Sequence, residues 1–218
     1  MTAMRTLFLR AVIWPLSGLL AACSTLPRIE TKRPAIVVSV PDQKLALFRP
    51  EASPKAFKVS TGSRGTGDRL GSYATPKGTH VVAQKIGAGA PSGSVFKGGN
   101  RTGEILKPNA PGRDPIVTRI IWLRGLQSQN ANAFKRHIYI HGTPEERRLG
   151  KPVSWGCIRM SSRDVITVFD AVAVGSVVHV SDAPLHLAAK ELSAAQHIAD
   201  SSSKVNKPDS SKQKRRRA

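Results

Sequence analysis

At 218 residues the chain is long enough for one domain with a substantial core and, once its ends are set aside, too short for two. Hydrophobic content is 40%, ordinary for a globular chain, and aromatics make up only 5%. Lys and Arg outnumber Asp and Glu by 34 to 14, and the resulting formal charge of +20 points to an anionic partner: nucleic acid, a lipid head group or an acidic polymer.

The N-terminus narrows these choices. Arg5 and Arg10 precede an apolar run from Ala11 to Ala22. That run falls short of the roughly 20 apolar residues a membrane span needs, and it carries Trp14 and Pro15. A basic start, a short apolar stretch and small residues at its end describe a secretory signal peptide over residues 1–22. Leu20-Ala21-Ala22-Cys23 resembles a bacterial lipobox, which implies cleavage before Cys23 and lipidation of it. Ser24 in the next position resembles lipoproteins sent to the outer membrane, so the expected location is periplasmic and lipid-anchored. An ordinary cleaved signal with an incidental Cys23 is the alternative. The chain has 2 cysteines, so a lipidated Cys23 leaves Cys157 without a disulfide partner in an oxidising compartment. Such a thiol is either buried and inert or retained for chemistry.

Residues 23–34 are polar and proline-flanked, a linker. Ala35–Val40 and Lys44–Arg49 are β-rich runs split by Pro41-Asp42-Gln43, a hairpin pattern, and Ala56–Thr61 predicts a third strand. The glycine-rich stretch from Gly62 to Gly78 is a loop, and Thr79–Ile86 alternates as a strand. Gly87 to Pro115 has no periodicity, which predicts a functional flap or an excursion beside a cleft. Pro115–Leu123 reads as a strand. In the strand pattern His137–His141, Ile138 and Ile140 share one face, and His137, Tyr139 and His141 the other. The apolar face belongs in the core and the His/Tyr face opens onto something polar. Ser161 or Ser162 caps a helix that carries Val165, Ile166, Phe169 and Val172 at helical spacing and stops at Gly175. Ser176–Ser181 is the last strand. Residues 183–218 predict a short helix and then, from Ser201, a disordered basic tail.

The chemistry concentrates in "HIYIHG" and "SWGCIRM". A thiol nucleophile needs a base in reach and donors for an oxyanion. Gly156 before Cys157 lets the backbone turn tightly and leaves amides accessible. Arg159 adds positive charge that lowers a thiol pKa or binds a carboxylate, or else it is a surface salt-bridge partner. His141 lies sixteen residues upstream and precedes Gly142, where a bend aims the imidazole across the sheet. A Cys/His pair of this kind performs acyl transfer through a thioester. A zinc site from His137, His141 and Cys157 is the competing arrangement. Histidines four residues apart on a strand are roughly 13 Å apart, too far for one metal.

"HIYIHGTPEERRLGKPVSWGCIRM" resembles the signature of the bacterial L,D-transpeptidase catalytic domain, the YkuD family, and the likeness extends over Ala35 to Val180. The resemblance implies a mainly β fold, a sandwich of mixed β-sheets with one helix after the catalytic cysteine, over residues 35–182. It implies Cys157 as nucleophile and His141 as general base and acid. A carbonyl at Gly142 orients the imidazole, and amides around Gly156 and Cys157 form the oxyanion hole. Ser154 matches the motif serine, and Arg159 holds a substrate carboxylate. The implied substrate is a peptidoglycan tetrapeptide stem, acylated at its third residue with loss of the terminal D-alanine. The acyl group then passes to an amine on another stem or on an anchored protein, and some members hydrolyse instead. Carbapenems resemble the acyl donor and trap the thiol. No cofactor or metal is implied. The departure is Trp155, where the family usually has His. An indole donates through N–H but does not titrate, so substrate placement and acceptor choice rest on a different side chain. Trp155 could form a flat wall for a stem or glycan, with Tyr139 and His137 lining the cleft or merely satisfying a surface. A same-fold carboxypeptidase or endopeptidase, or a silent cell-wall-binding lipoprotein, are the other functions the pattern allows. The basic tail suits contact with anionic lipid or wall phosphate, and nothing in the chain resembles a nucleic-acid-binding motif.

Overall fold

A computed structural model describes residues 26–27, 29 and 31–205. The signal segment, Cys23 and the tail from residue 206 onward lie outside the described residues. The hairpin β1 (Ala35–Ser39) and β2 (Lys44–Phe48) is antiparallel, with Ala35 opposite Phe48 and Ser39 opposite Lys44. Its turn closes on Gln43, whose φ is 49° and whose Nε2 donates to Val40 O at 2.6 Å. β3 (Lys55–Lys58) extends the sheet on one side of this hairpin. On the other side β10 (Val177–Ser181) pairs parallel with β1 and antiparallel with β4 (Gly78–Ile86).

β7 (Ile116–Gly125) is the strand that positions the site. One of its edges carries β4 and then β5 (Ser94–Lys97), and the other carries β8 (Tyr139–Gly142). β9 (Ile158–Met160) follows β8 in parallel, with Ile140 beside Ile158 and His141 beside Arg159. The register of β7 shifts between Val117 and Ile120, where Thr118 takes a φ of 72°. This is a bulge, which bends the strand and increases its twist.

The sheet is mixed and continuous, and it curls around its core. Ile36, Leu45, Val82, Ile121, Ile140, Ile158 and Val178 meet there with Val165, Val168 and Phe169 of α1 (Ser162–Ala171). Burial of each of these side chains is worth roughly 1.5–3 kcal/mol. The single curled sheet encloses what a sandwich would place between two. Ser161 is the N-cap of α1, its hydroxyl accepting from Asp164 N at 3.1 Å. The helix ends at Ala171 rather than at Gly175.

Every residue of β1 is buried because the strand is covered on both faces. Ile36 and Val38 enter the main core, while Ala35 and Val37 sit under Leu185, Ala188 and Leu192. Those last residues belong to α2 (Leu185–Ala188) and to the start of α3 (Leu192–Val205). Leu26 and Ile29, in the segment read as a linker, pack on the same layer. α3 continues past Ser201, where composition predicts order to end. The hydroxyls of Ser201 and Ser202 bond back to His197 O and Ile198 O, which satisfies them within the helix.

The stretch from Gly87 to Pro115 is not structureless. It contains the hairpin of β5 and β6 (Asn100–Ile105), closed by Gly98 and Gly99 at φ 58° and 84°. Two consecutive glycines at positive φ suit the tight turn that matches strand twist. The excursion packs Ala90 and Phe96 against Ile120, with Tyr139 at the margin.

Candidate active site

Alternation on β8 and β9 sorts the functional side chains. Ile140 and Ile158 point into the core, which leaves His141 and Arg159 on the opposite face, with Cys157 directly before β9. His141 is buried, and its Nδ1 lies 2.8 Å from Gly142 O. A carbonyl oxygen only accepts, so Nδ1 carries the proton and Nε2 keeps its lone pair. Burial holds the imidazole pKa down at about 4, with the Gly142 carbonyl opposing the shift. The ring is therefore neutral at ordinary pH and available as a base. Gly142 packs tightly against the β7 bulge. A Cβ there would lie 2.6 Å from Val117 O, a contact that only glycine avoids.

Cys157 is the free cysteine among the described residues and is partly open to solvent. Its Sγ donates to His137 O at 3.3 Å rather than to the imidazole. His137 has a φ of 54°, a left-handed conformation uncommon for a non-glycine residue. It thus stands before β8 instead of starting it. Burial pushes the thiol pKa up to about 11, and a hydrogen bond from Tyr139 N and the charge of Arg136 pull it back. The resting pair is accordingly neutral thiol and neutral imidazole.

Ser154 and Gly156 shape the turn that carries the sulfur. Ser154 Oγ donates to Cys157 O at 2.5 Å and accepts from Gly156 N at 3.1 Å. The Gly156 amide is thereby engaged. Of the two amides assigned to an oxyanion hole, that of Cys157 is the one without a hydrogen-bond partner among the described residues. Gly156 has a φ of 111°, and a Cβ on it would lie 2.9 Å from Ala74 O.

Arg159 is placed differently from a free carboxylate anchor. It is buried, and its Nη1 pairs with Asp114 and, at 3.3 Å, with Glu145. Its charge is met by the protein's own acids. Nε and Nη2 are buried and have no partner among the described residues, so donors remain. Burial lowers the guanidinium pKa from its usual value.

Two groups of aromatic side chains include residues near the thiol, Trp155 in its turn and Tyr139 on β8. Trp155 is 80% exposed and stands 5.8 Å from Tyr73, another exposed ring, centroid to centroid. In the second group Trp122 stacks on Phe134 at 4.3 Å and meets Tyr139 edge-on at 5.3 Å. The Tyr139 hydroxyl lies 3.0 Å from His137 Nδ1, and burial raises its pKa to about 12, with Cys157 adding to the shift. His137, Tyr139 and Cys157 thus share one small neighbourhood. Among the described residues no group of three His, Cys, Asp or Glu side chains is arranged to hold a metal. Clefts of about 580 Å³ and 610 Å³ lie elsewhere, lined by neither Cys157 nor His141.

Several partners of the site are absent from the motif reading. Asp114, Glu145 and the carbonyl of His137 reach it from separate segments. So does Arg136, which stands near the sulfur and pairs with Asp68. A positive φ at a histidine and a long-range ion pair leave no sequence pattern.

The family model for the L,D-transpeptidase catalytic domain (YkuD) matches residues 33–180. A curated Escherichia coli K12 protein, "Probable L,D-transpeptidase ErfK/SrfK", is 28% identical over 162 residues, covering 72% of this chain and 46% of that protein. The solved L,D-transpeptidase from Mycobacterium smegmatis is 16% identical, with a TM-score of 0.44 over 68% of this chain and 58% of that one. That of Xylanimonas cellulosilytica is 17% identical, with a TM-score of 0.45 over 72% and 63%. The chain thus spans about half the length of the curated relative. With the family model covering more than half of its residues, the chain belongs to the L,D-transpeptidase catalytic domain family.

Proposed function

We propose that the protein is a peptidoglycan L,D-transpeptidase, a lipid-anchored and periplasm-facing cysteine acyltransferase. The observation that carries this reading is the pairing of β8 with β9. It puts His141, with Nδ1 bonded to Gly142 O, opposite Arg159, two residues after Cys157. In the proposed cycle Sγ leaves His137 O and gives its proton to Nε2 of His141 as it attacks the carbonyl carbon of the stem's third residue. The Cys157 amide donates to the developing oxyanion. Collapse breaks the amide bond, and the imidazolium returns its proton to the departing D-alanine amine. An acceptor amine then attacks the thioester, gives up its proton through His141 and releases the thiol. In this reading the unpartnered Nε and Nη2 of Arg159, buried before the stem enters, turn to it although the charge is already balanced by Asp114 and Glu145. Trp155 and Tyr73 supply an exposed apolar wall beside the turn that carries Cys157. Cys23 supplies the anchor, with outer-membrane placement from Ser24, and the basic tail meets anionic lipid or wall phosphate.

Intact-protein mass spectrometry tests the acylation step. Purified protein is mixed with tetrapeptide stem and, separately, with a carbapenem. The expected result is a covalent adduct on Cys157 that is absent from Cys157→Ala. No adduct with either reagent, on folded protein with a reduced thiol, overturns the reading and favours a silent wall-binding lipoprotein.

A further inference from the structure

We propose that Arg136, held by Asp68, is a positioning residue for Cys157: it ties the loop before β4 to the nucleophile turn and sets a buried cation beside the sulfur. The inference deepens the reading of Cys157 as a nucleophile and rests on it.

The geometry is that of a fork. Arg136 Nη1 donates to Gly67 O at 2.8 Å and to Asp68 Oδ1 at 3.1 Å, and Nη2 donates to Ala74 O at 2.6 Å. Both side chains of the pair are nearly sealed from water, at 6% and 7% exposure. Asp68 is fixed in turn, since its Oδ2 accepts from Asn132 N at 2.6 Å and its carbonyl from Asn132 Nδ2 at 3.1 Å. The loop that Arg136 holds is the one that braces the nucleophile turn. Ser63 N donates to Ser154 O at 2.9 Å, and Thr75 Oγ1 donates to Gly156 O at 3.0 Å. Arg136 Nη2 itself lies 3.3 Å from where a Cβ on Gly156 would stand. The segment after Arg136 completes the setting, because His137 O accepts from Sγ. One planar side chain therefore joins three segments around the thiol, a task to which five donors in a rigid fork are suited and an ammonium is not.

The charge has a separate effect. The ionisable side chains nearest in the fold are Tyr139 and His141 on β8, Arg136 and His137 before it, and Arg159 on β9; of these, Arg136 and Tyr139 interact with the thiol. Arg159 is matched by Asp114 and Glu145, and His141 is neutral. Arg136 is the cation whose charge acts on the thiol, and Asp68 is the acid that tempers it. Removing the cation disfavours the thiolate, and removing the acid favours it. A brace that acts only through shape gives no such opposition of sign.

The test is the pH dependence of Cys157 alkylation by iodoacetamide, read at the Cys157 peptide so that Cys23 does not contribute. It reads the thiol whether or not a stem is ever the natural donor, so its failure is distinct from failure of the acylation reading. Arg136→Gln is expected to raise the midpoint by about 1 pH unit, and Asp68→Asn to lower it by about 0.5 unit. Arg136→Lys keeps the midpoint near that of the wild type, yet slows adduct formation with a carbapenem about tenfold, because the fork is lost. The proposal is overturned if Arg136→Gln and Asp68→Asn leave the midpoint in place or move it the same way, whatever their melting temperatures. Should Arg136→Gln not fold, Asp68→Asn decides alone: a midpoint that stays or rises overturns it.

Discussion

Cys157 and His141 meet chemically through what each does with its other partner. The imidazole gives its Nδ1 proton to Gly142 O and so keeps a basic nitrogen. The thiol rests on His137 O with its pKa lifted to about 11. In the proposed cycle proton transfer belongs to the attack itself and not to a preformed ion pair. His141→Ala is therefore expected to slow carbapenem acylation at least about a hundredfold, the usual worth of a positioned base. Stopped-flow fluorescence against the wild type measures it. With the imidazole pKa near 4, acylation by the wild type should lose no rate from His protonation until pH approaches that value. A rate that falls through pH 6.5 instead would show an imidazole that titrates as if exposed. Trp155 makes the opposite kind of prediction. At 80% exposure it supports little of the fold, so Trp155→Ala should change stability by less than about 0.5 kcal/mol. Its effect should appear in KM for the stem. A large drop in melting temperature with unchanged KM would remove Trp155 from the substrate wall.

The elements differ in how plainly the sequence announces them. The hairpin of β1 and β2, the strands β4, β7 and β10 and the cap of α1 were legible, since each rests on local pattern or a local hydrogen bond. The imidazole contact with Gly142 O came from the family resemblance, which implies a carbonyl there, and not from local pattern. β5, β6 and β9 were not legible. β5 and β9 have 4 and 3 residues, too few for alternation to show, β6 (NRTGEI) is polar almost throughout, and β9 exists only because β8 offers it an edge. Arg159 shows the same limit at the site. Its residue type suggests a carboxylate partner, but only the fold brings Asp114 and Glu145 to it. Asp114 lies in the stretch from Gly87 to Pro115, where the sequence shows no periodicity. Arg159→Ala leaves those two carboxylates without their counter-charge, and differential scanning calorimetry should show a loss of about 2 kcal/mol, discounted for their partial exposure. A variant that binds stem poorly at full stability would instead return Arg159 to a pure ligand-binding role. Gly142→Ala drives a Cβ toward Val117 O at the β7 bulge and should lower both melting temperature and acylation rate.

For the whole molecule, two buried histidines make acid the weak side. Burial holds His80 and His141 each at about 4, below the usual 6.5. A depressed histidine pKa means that the unfolded chain binds more protons between those values. Stability is then complete above about 6.5 and falls as pH drops toward 4, by on the order of 3 kcal/mol per histidine. Thermal melts across that range should show it, and a flat profile would deny that both rings are buried neutral. On the alkaline side the proton on Cys157 has a different consequence. Hydrogen peroxide and disulfide-exchange reagents attack through thiolate, and the sulfur bonded to His137 O holds little of it at neutral pH. In the proposed cycle the bond to His137 O thus keeps Sγ protonated, and so slow to form sulfenic acid, until His141 takes that proton as an acyl donor is attacked.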